Sequence, residues 1–126
     1  MSIDYLTRPR PLTPRDDILP VIIGGDFGVY GIGRCFNEAF GSRCICVGSQ
    51  PTESITRSNF FDVRHVSAHA SDAQLLDVLM SVAGEHPDKK LILMANHDIF
   101  SAFVARNVRA LSRHYALPFP DSQVME

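Results

Sequence analysis

Apolar positions along this chain switch between a strand-like and a helix-like period, and the switches mark its elements. Leu19 to Gly24 carries the unbroken run Val21-Ile22-Ile23, the pattern of a strand covered on both faces. After a glycine-rich turn, Ile32, Phe36, Ala39 and Phe40 recur at helical spacing and predict a helix over about 30–40, ending at Gly41. Arg43 to Val47 reads as a second buried strand closed by Gly48. Ser49 to Asn59 is polar and contains Pro51, which predicts a loop. Phe60 to Val66 alternates loosely and fits a short third strand. Ser71-Asp72-Ala73-Gln74 matches a capping box ahead of Leu75, Leu76, Leu79, Val82 and Ala83, and His86-Pro87-Asp88 ends that helix. Lys90 to Ala95 is the clearest core strand. Asn96 or Asp98 can cap the next helix, whose stripe of Phe100, Phe103, Val104, Val108 and Leu111 runs to about Tyr115. Leu117-Pro118-Phe119-Pro120 reads as a short edge strand, where prolines are tolerated.

The resulting order, β-α-β-β-α-β-α-β, implies an α/β three-layer sandwich with a mainly parallel sheet of about five strands. Such sheets bind ligands beyond the carboxyl ends of their strands, near the point where strand order reverses. That rule groups three loops: Gly25–Tyr30, Gly48–Ser58 and Asn96-His97-Asp98.

The first of these loops carries the most chemistry. Leu19 to Arg34 holds Gly24, Gly25, Gly28, Gly31 and Gly33 between a strand and a helix, a turn that exposes backbone N–H groups suited to an anion. Glycines there also serve simply to allow a tight turn and close packing. Asp26 either accepts a hydrogen bond from a substrate amine or hydroxyl, or caps the helix. Tyr30 sits beside the turn. Arg34 either clamps a carboxylate or phosphate, or is a solvated helix arginine. The glycine order is not the dinucleotide fingerprint: from Gly31 the third glycine would fall on Phe36, and no acid occupies Val47-Gly48-Ser49-Gln50. A nicotinamide-dependent oxidoreductase is disfavoured accordingly.

Arg57 and Ser58 could hold a second anionic group or lie at the surface. Asn96-His97-Asp98 invites a proton-transfer role, with Asp98 as a helix cap the plainer alternative. His65 and His69 straddle a strand end and a loop, a poor arrangement for a shared metal. The chain contains no phosphate-binding G-x-x-x-x-G-K-[ST], no G-x-S-x-G, no H-E-x-x-H and no C-x-x-C. At 126 residues it is one domain's worth of sequence, and its net charge of −2 gives no reason to expect nucleic acid or an anionic membrane. No apolar run approaches membrane-spanning length and no signal peptide opens the chain, which makes the cytoplasm the default. The three cysteines agree with a reducing compartment. Cys44 and Cys46 read as small buried hydrophobes, and Cys35 lacks a histidine partner that would make it a catalytic thiol.

The segments PVIIGGDFGVYGIGRCFNEAFG, RCICVGSQP, TRSNFFDV, KKLILMANHDIF and RNVRALSRHYALPFPD resemble the amino-terminal (pre-ATP-grasp) domain of ATP-grasp carboxylate–amine ligases, a group that includes D-aspartate ligase-like and carbamoyl-phosphate-synthase-like proteins. GGD-x-x-x-YG-x-x-R is the most specific part. The resemblance runs from about Leu19 to Asp121. It implies a Rossmann-like domain at 18–121 and at 122–126 the start of a connection to an ATP-binding domain; residues 1–17, with three prolines, mixed charge and no periodicity, read as a flexible arm. It also implies that ATP phosphorylates a carboxylate, that an amine attacks the acyl phosphate, and that ATP and Mg2+ are held outside this stretch. No catalytic or metal residue transfers, and the 126 residues alone are not expected to catalyse ligation. The matching substrate-binding positions are Gly25, Asp26, Gly28, Tyr30, Gly31 and Arg34, with Ser58 and Asn96. The expected partners are a small carboxylate or amine and the ATP-grasp domain of the same protein, with a homodimer possible through an apolar face. A stand-alone Rossmann-like module that senses a small metabolite is the alternative.

Overall fold

The computed structural model describes residues 11–117. Its centre is strand β1, Ile18–Ile23, with all six residues buried. Helix α1 (Phe27–Phe40) leads to β2 (Cys44–Gly48), and a short helix α2 (Glu53–Thr56) leads to β3 (Phe61–His65). Helix α3 (Asp72–Glu85), β4 (Lys90–Ala95), the helices α4 (Asp98–Arg106) and α5 (Val108–Leu111), and β5 (Tyr115–Ala116) complete the order. All four strand pairings are parallel, and the sheet runs β3-β2-β1-β4-β5. This is the three-layer, Rossmann-like α/β arrangement that the alternation of elements predicts. Strand order reverses between β1 and β4, so the switch point lies between those two strands.

Alternation along β1 divides the core. Leu19, Val21 and Ile23 face Leu75, Leu79 and Val82 of α3, together with Phe103, Val104 and Leu111 from α4 and α5. Ile22 faces the other way, onto Val29 of α1, Ile55 of α2, Cys44, Cys46 and Phe61. Each fully buried aliphatic side chain contributes about 1.5–3 kcal/mol. Pro20 is an unusual residue for a central strand. Gly24 N–H donates to Val47 on β2 and Ile23 accepts from Asn96 on the β4 side, so even-numbered positions aim at β2. Pairing with β2 begins only at Val21, so the N–H that Pro20 lacks would have had no partner there.

Four local expectations are corrected. Helix α1 begins at Phe27 rather than near 30, because Asp26 caps it by accepting from Val29 N–H. Gly28 is thereby drawn into the helix, beside Gly31 and Gly33. Gly33 is needed there: a Cβ would lie 2.1 Å from Phe61 Cζ. The 49–59 loop contains α2, anchored by the buried Ile55. The last helix breaks at Asn107, whose side chain donates to Phe103 O and to Asp72 at the start of α3. Finally, β5 lies at Tyr115–Ala116, and Tyr115 is a buried strand residue whose hydroxyl donates to Leu79 O. The predicted edge strand at 117–120 falls almost wholly outside the described residues. Among the described residues, no helix is long and apolar enough to cross a membrane.

Candidate functional site

A cleft of about 280 Å³ opens at the carboxyl edge of the sheet. Gly24, Gly25 and Asp26 after β1, Gly48, Ser49, Gln50 and Thr52 after β2, and His97 and Phe100 after β4 line it. The three loops grouped by the sequence thus meet in space. Their junction is tight. Gly24 has φ +133°, a conformation that side-chain-bearing residues rarely adopt, and a Cβ on it would press on Val29. A Cβ on Gly48 would lie 2.7 Å from Gly24 O, and Thr52 N–H donates to Gly25 O. The backbones of the first two loops are therefore in contact.

Asp26 is the hub. Its Oδ1 accepts from Val29 N–H at 3.1 Å and from Asn96 Nδ2 at 2.6 Å, and its Oδ2 lies 2.8 Å from His97 Nε2. Burial pulls the Asp26 pKa upward, but the Val29 amide and then His97 outweigh it, and the net value falls below that of an ordinary carboxyl. Of the two roles open to Asp26, the cap is built, and both of its oxygens have partners inside the protein. The amides of Gly25 and Phe27 have no hydrogen-bond partner among the described residues.

The other sequence-selected residues separate into those at the cleft and those away from it. Gly25 lines the cleft. Asn96 reaches its rim through Asp26, and Gly28 makes room for it: a Cβ there would lie 2.6 Å from Asn96 Nδ2. Tyr30 packs on Phe60 and Phe61, with ring centroids 5.9 and 6.4 Å away, and does not line the cleft. Gly31 faces open space on α1. Arg34 is exposed and its Nε donates to Glu38 at 2.8 Å, so the solvated-arginine alternative describes it. Ser58 accepts from Phe60 N–H in a local turn away from the cleft. Conversely, Ser49, Gln50, Thr52 and Phe100 were not singled out from the sequence. Their signal is positional, since each follows the carboxyl end of β2 or β4.

The thiols play no part in the cleft's chemistry. Cys46 donates to Gly24 O and Cys44 to Gly33 O, and burial pushes their pKa values up to about 11 and about 12. Nor does the cleft fit ATP with Mg2+. It is small, and among the described residues Asp26 is the one acid lining it and no lysine or arginine does. Among the described residues no group of three or more His, Cys, Asp or Glu is placed to hold a metal ion.

Fold and cleft together define the class: a Rossmann-like α/β domain with a small cleft at the carboxyl edge of its sheet. The chain is 25% identical over 114 residues to D-aspartate ligase from Enterococcus faecium (strain Aus0004). That match covers 88% of this chain and 27% of the ligase, so the chain spans about a quarter of the length of its curated relative. No family model and no solved structure matches it.

Proposed function

We propose that this chain is the substrate-binding amino-terminal domain of an ATP-dependent carboxylate–amine ligase. In this reading the cleft holds a small acid or amine, while ATP and Mg2+ are held by an ATP-grasp domain of the same protein. The observation that carries the proposal is the similarity to D-aspartate ligase: a match over 88% of the chain necessarily takes in all three cleft loops. Cleft size supports it, since about 280 Å³ falls just below the range of ligand pockets, roughly 300–1,000 Å³, and suits an amino acid better than a nucleotide. The reaction class is acyl phosphate formation followed by amine attack, and this chain's share is to hold and orient substrate.

The test is phosphate release from ATP by the polypeptide that carries this chain, with D-aspartate as the first substrate tried. Release should require both an acid and an amine. Release indifferent to both, or none with any pair, refutes the ligase reading. Saturable binding of a metabolite without ATP turnover would fit the stand-alone module instead.

A further inference from the structure

The Asp26–His97 contact has a chemical direction. An ionised carboxylate can only accept, so Nε2 at 2.8 Å from Oδ2 favours the imidazole tautomer that carries its proton on Nε2. A neutral imidazole has one N–H, and Nδ1 is left as a bare lone pair. That nitrogen has no hydrogen-bond partner among the described residues, on a side chain that lines the cleft and is 53% exposed. Asp26 is itself held by Val29 N–H and Asn96 Nδ2, so the ring is oriented from the far side. Around the imidazole, the β1–α1 loop contributes Asp26 and the ring's own helix contributes Asp98. Phe100 lies 6.2 Å from it, centroid to centroid, and the cleft residues after β2 are uncharged.

We propose that His97 is the proton acceptor for the amine substrate of this cleft, with Asp26 as its positioning residue. The inference rests on the ligase reading and deepens it. Near neutral pH an amine arrives as an ammonium, which has no lone pair to attack with. His97 Nδ1 takes one proton: the N–H bond breaks, its electron pair stays on the substrate nitrogen, and the imidazolium is held by Asp26. The freed pair forms the C–N bond to the acyl phosphate carbon. The bond from that carbon to the phosphate oxygen breaks, and its electrons leave with the phosphate. The nitrogen's second proton goes to the departing phosphate, and the imidazolium returns its proton to water.

Nitrogen-15 NMR of the imidazole ring and backbone amides of this chain tests the proposal. Free protein should show His97 protonated at Nε2 alone, and Asp26→Asn should remove that preference. D-Aspartate and methylammonium should shift His97 Nδ1, whereas succinate, which has no amine, should leave it unmoved. His97→Gln, which keeps a polar side chain at the helix start, should weaken amine binding about tenfold or more. An Nδ1–H tautomer, or probes that shift the Gly25 and Phe27 amides without moving Nδ1, overturns the inference and leaves the ligase reading standing. If no probe moves any cleft amide, the substrate-site reading fails and the inference with it.

Discussion

Gly31 and Gly33 lie two residues apart in α1, and alanine should act on them in opposite directions. At Gly31 a Cβ meets nothing within 4 Å. The substitution there restricts the unfolded chain without a new contact and should stabilise by about 0.5–1 kcal/mol. Gly33→Ala gains the same backbone term but places its methyl 2.1 Å from Phe61 Cζ and 2.6 Å from Cε2. Ordinary contact begins near 3.4 Å, so the ring must move. It has little room: Phe61 is 6% exposed, with Phe60 at 5.2 Å and Tyr30 at 6.4 Å between centroids. Overpacking of this kind costs about 1–3 kcal/mol. Against the backbone gain, Gly33→Ala should be net destabilising by up to about 2 kcal/mol, and the two variants should differ by about 1–3 kcal/mol. Urea and thermal unfolding followed by circular dichroism measure this; for a chain of this size 1 kcal/mol is roughly 3–6 °C. Variants that melt together, or a Gly33→Ala protein more stable than Gly31→Ala, would refute the packing argument. Gly31→Ala should also leave ligand binding at the cleft unchanged, since the residue points away from it.

The remaining predictions concern Asp26, acid and the thiols. Asp26→Ala should cost about 1–2 kcal/mol in urea unfolding, because α1 loses its cap, whereas Asp26→Asn should cost much less since asparagine caps as well; equal losses would show that the cap is not the stabilising contact. Asp26 and Asp72 both titrate below ordinary aspartate, Asp72 because Arg106 and Asn107 donate to it. A lowered folded pKa adds stability that is present above the unfolded value near ~3.9 and disappears as pH falls through the folded value. The melting temperature should therefore fall below about pH 4, and less steeply in the Asp26→Asn/Asp72→Asn protein; an unchanged slope would remove these groups from the account. Iodoacetamide at pH 8 should modify only the exposed Cys35 in the folded protein, because burial keeps Cys44 and Cys46 as neutral thiols. Mass spectrometry showing Cys44 or Cys46 alkylated before unfolding would contradict that.

The layered sheet was legible because its strands are continuous apolar runs, which few structures other than a doubly covered parallel strand produce. The start of α1 was not, because glycine disfavours helix by about 1 kcal/mol and three of them stand in its first seven residues. Long-range contacts with Asn96 and Phe61 explain Gly28 and Gly33, and no local pattern reports such contacts. The break at Asn107 has the same origin: its side chain bonds to Asp72, 35 residues earlier. At the candidate site, the three loops followed from topology alone, but the roles within them did not. Asp26 looked equally able to meet a ligand or cap a helix until Val29, Asn96 and His97 were seen to share it.

Helix geometry explains why a motif contiguous in sequence is not contiguous as a site. Arg34 follows Asp26 by eight residues, and at 1.5 Å per residue that is roughly 12 Å along α1, away from the edge where the strands end. The Arg34 backbone is thus about two turns from Asp26, and its guanidinium is engaged by Glu38 and does not line the cleft. His97 is far from Asp26 along the chain, yet β1 and β4 are paired in register through Ile23 and Ala95. Residues just past those two strand ends must converge. The sheet, more than the glycine motif, decides which side chains can act on one molecule, and it selects an acid-oriented imidazole over an arginine. A site of that kind handles a proton better than it neutralises a phosphate, which is why the proposed role is presenting an amine and not gripping a nucleotide.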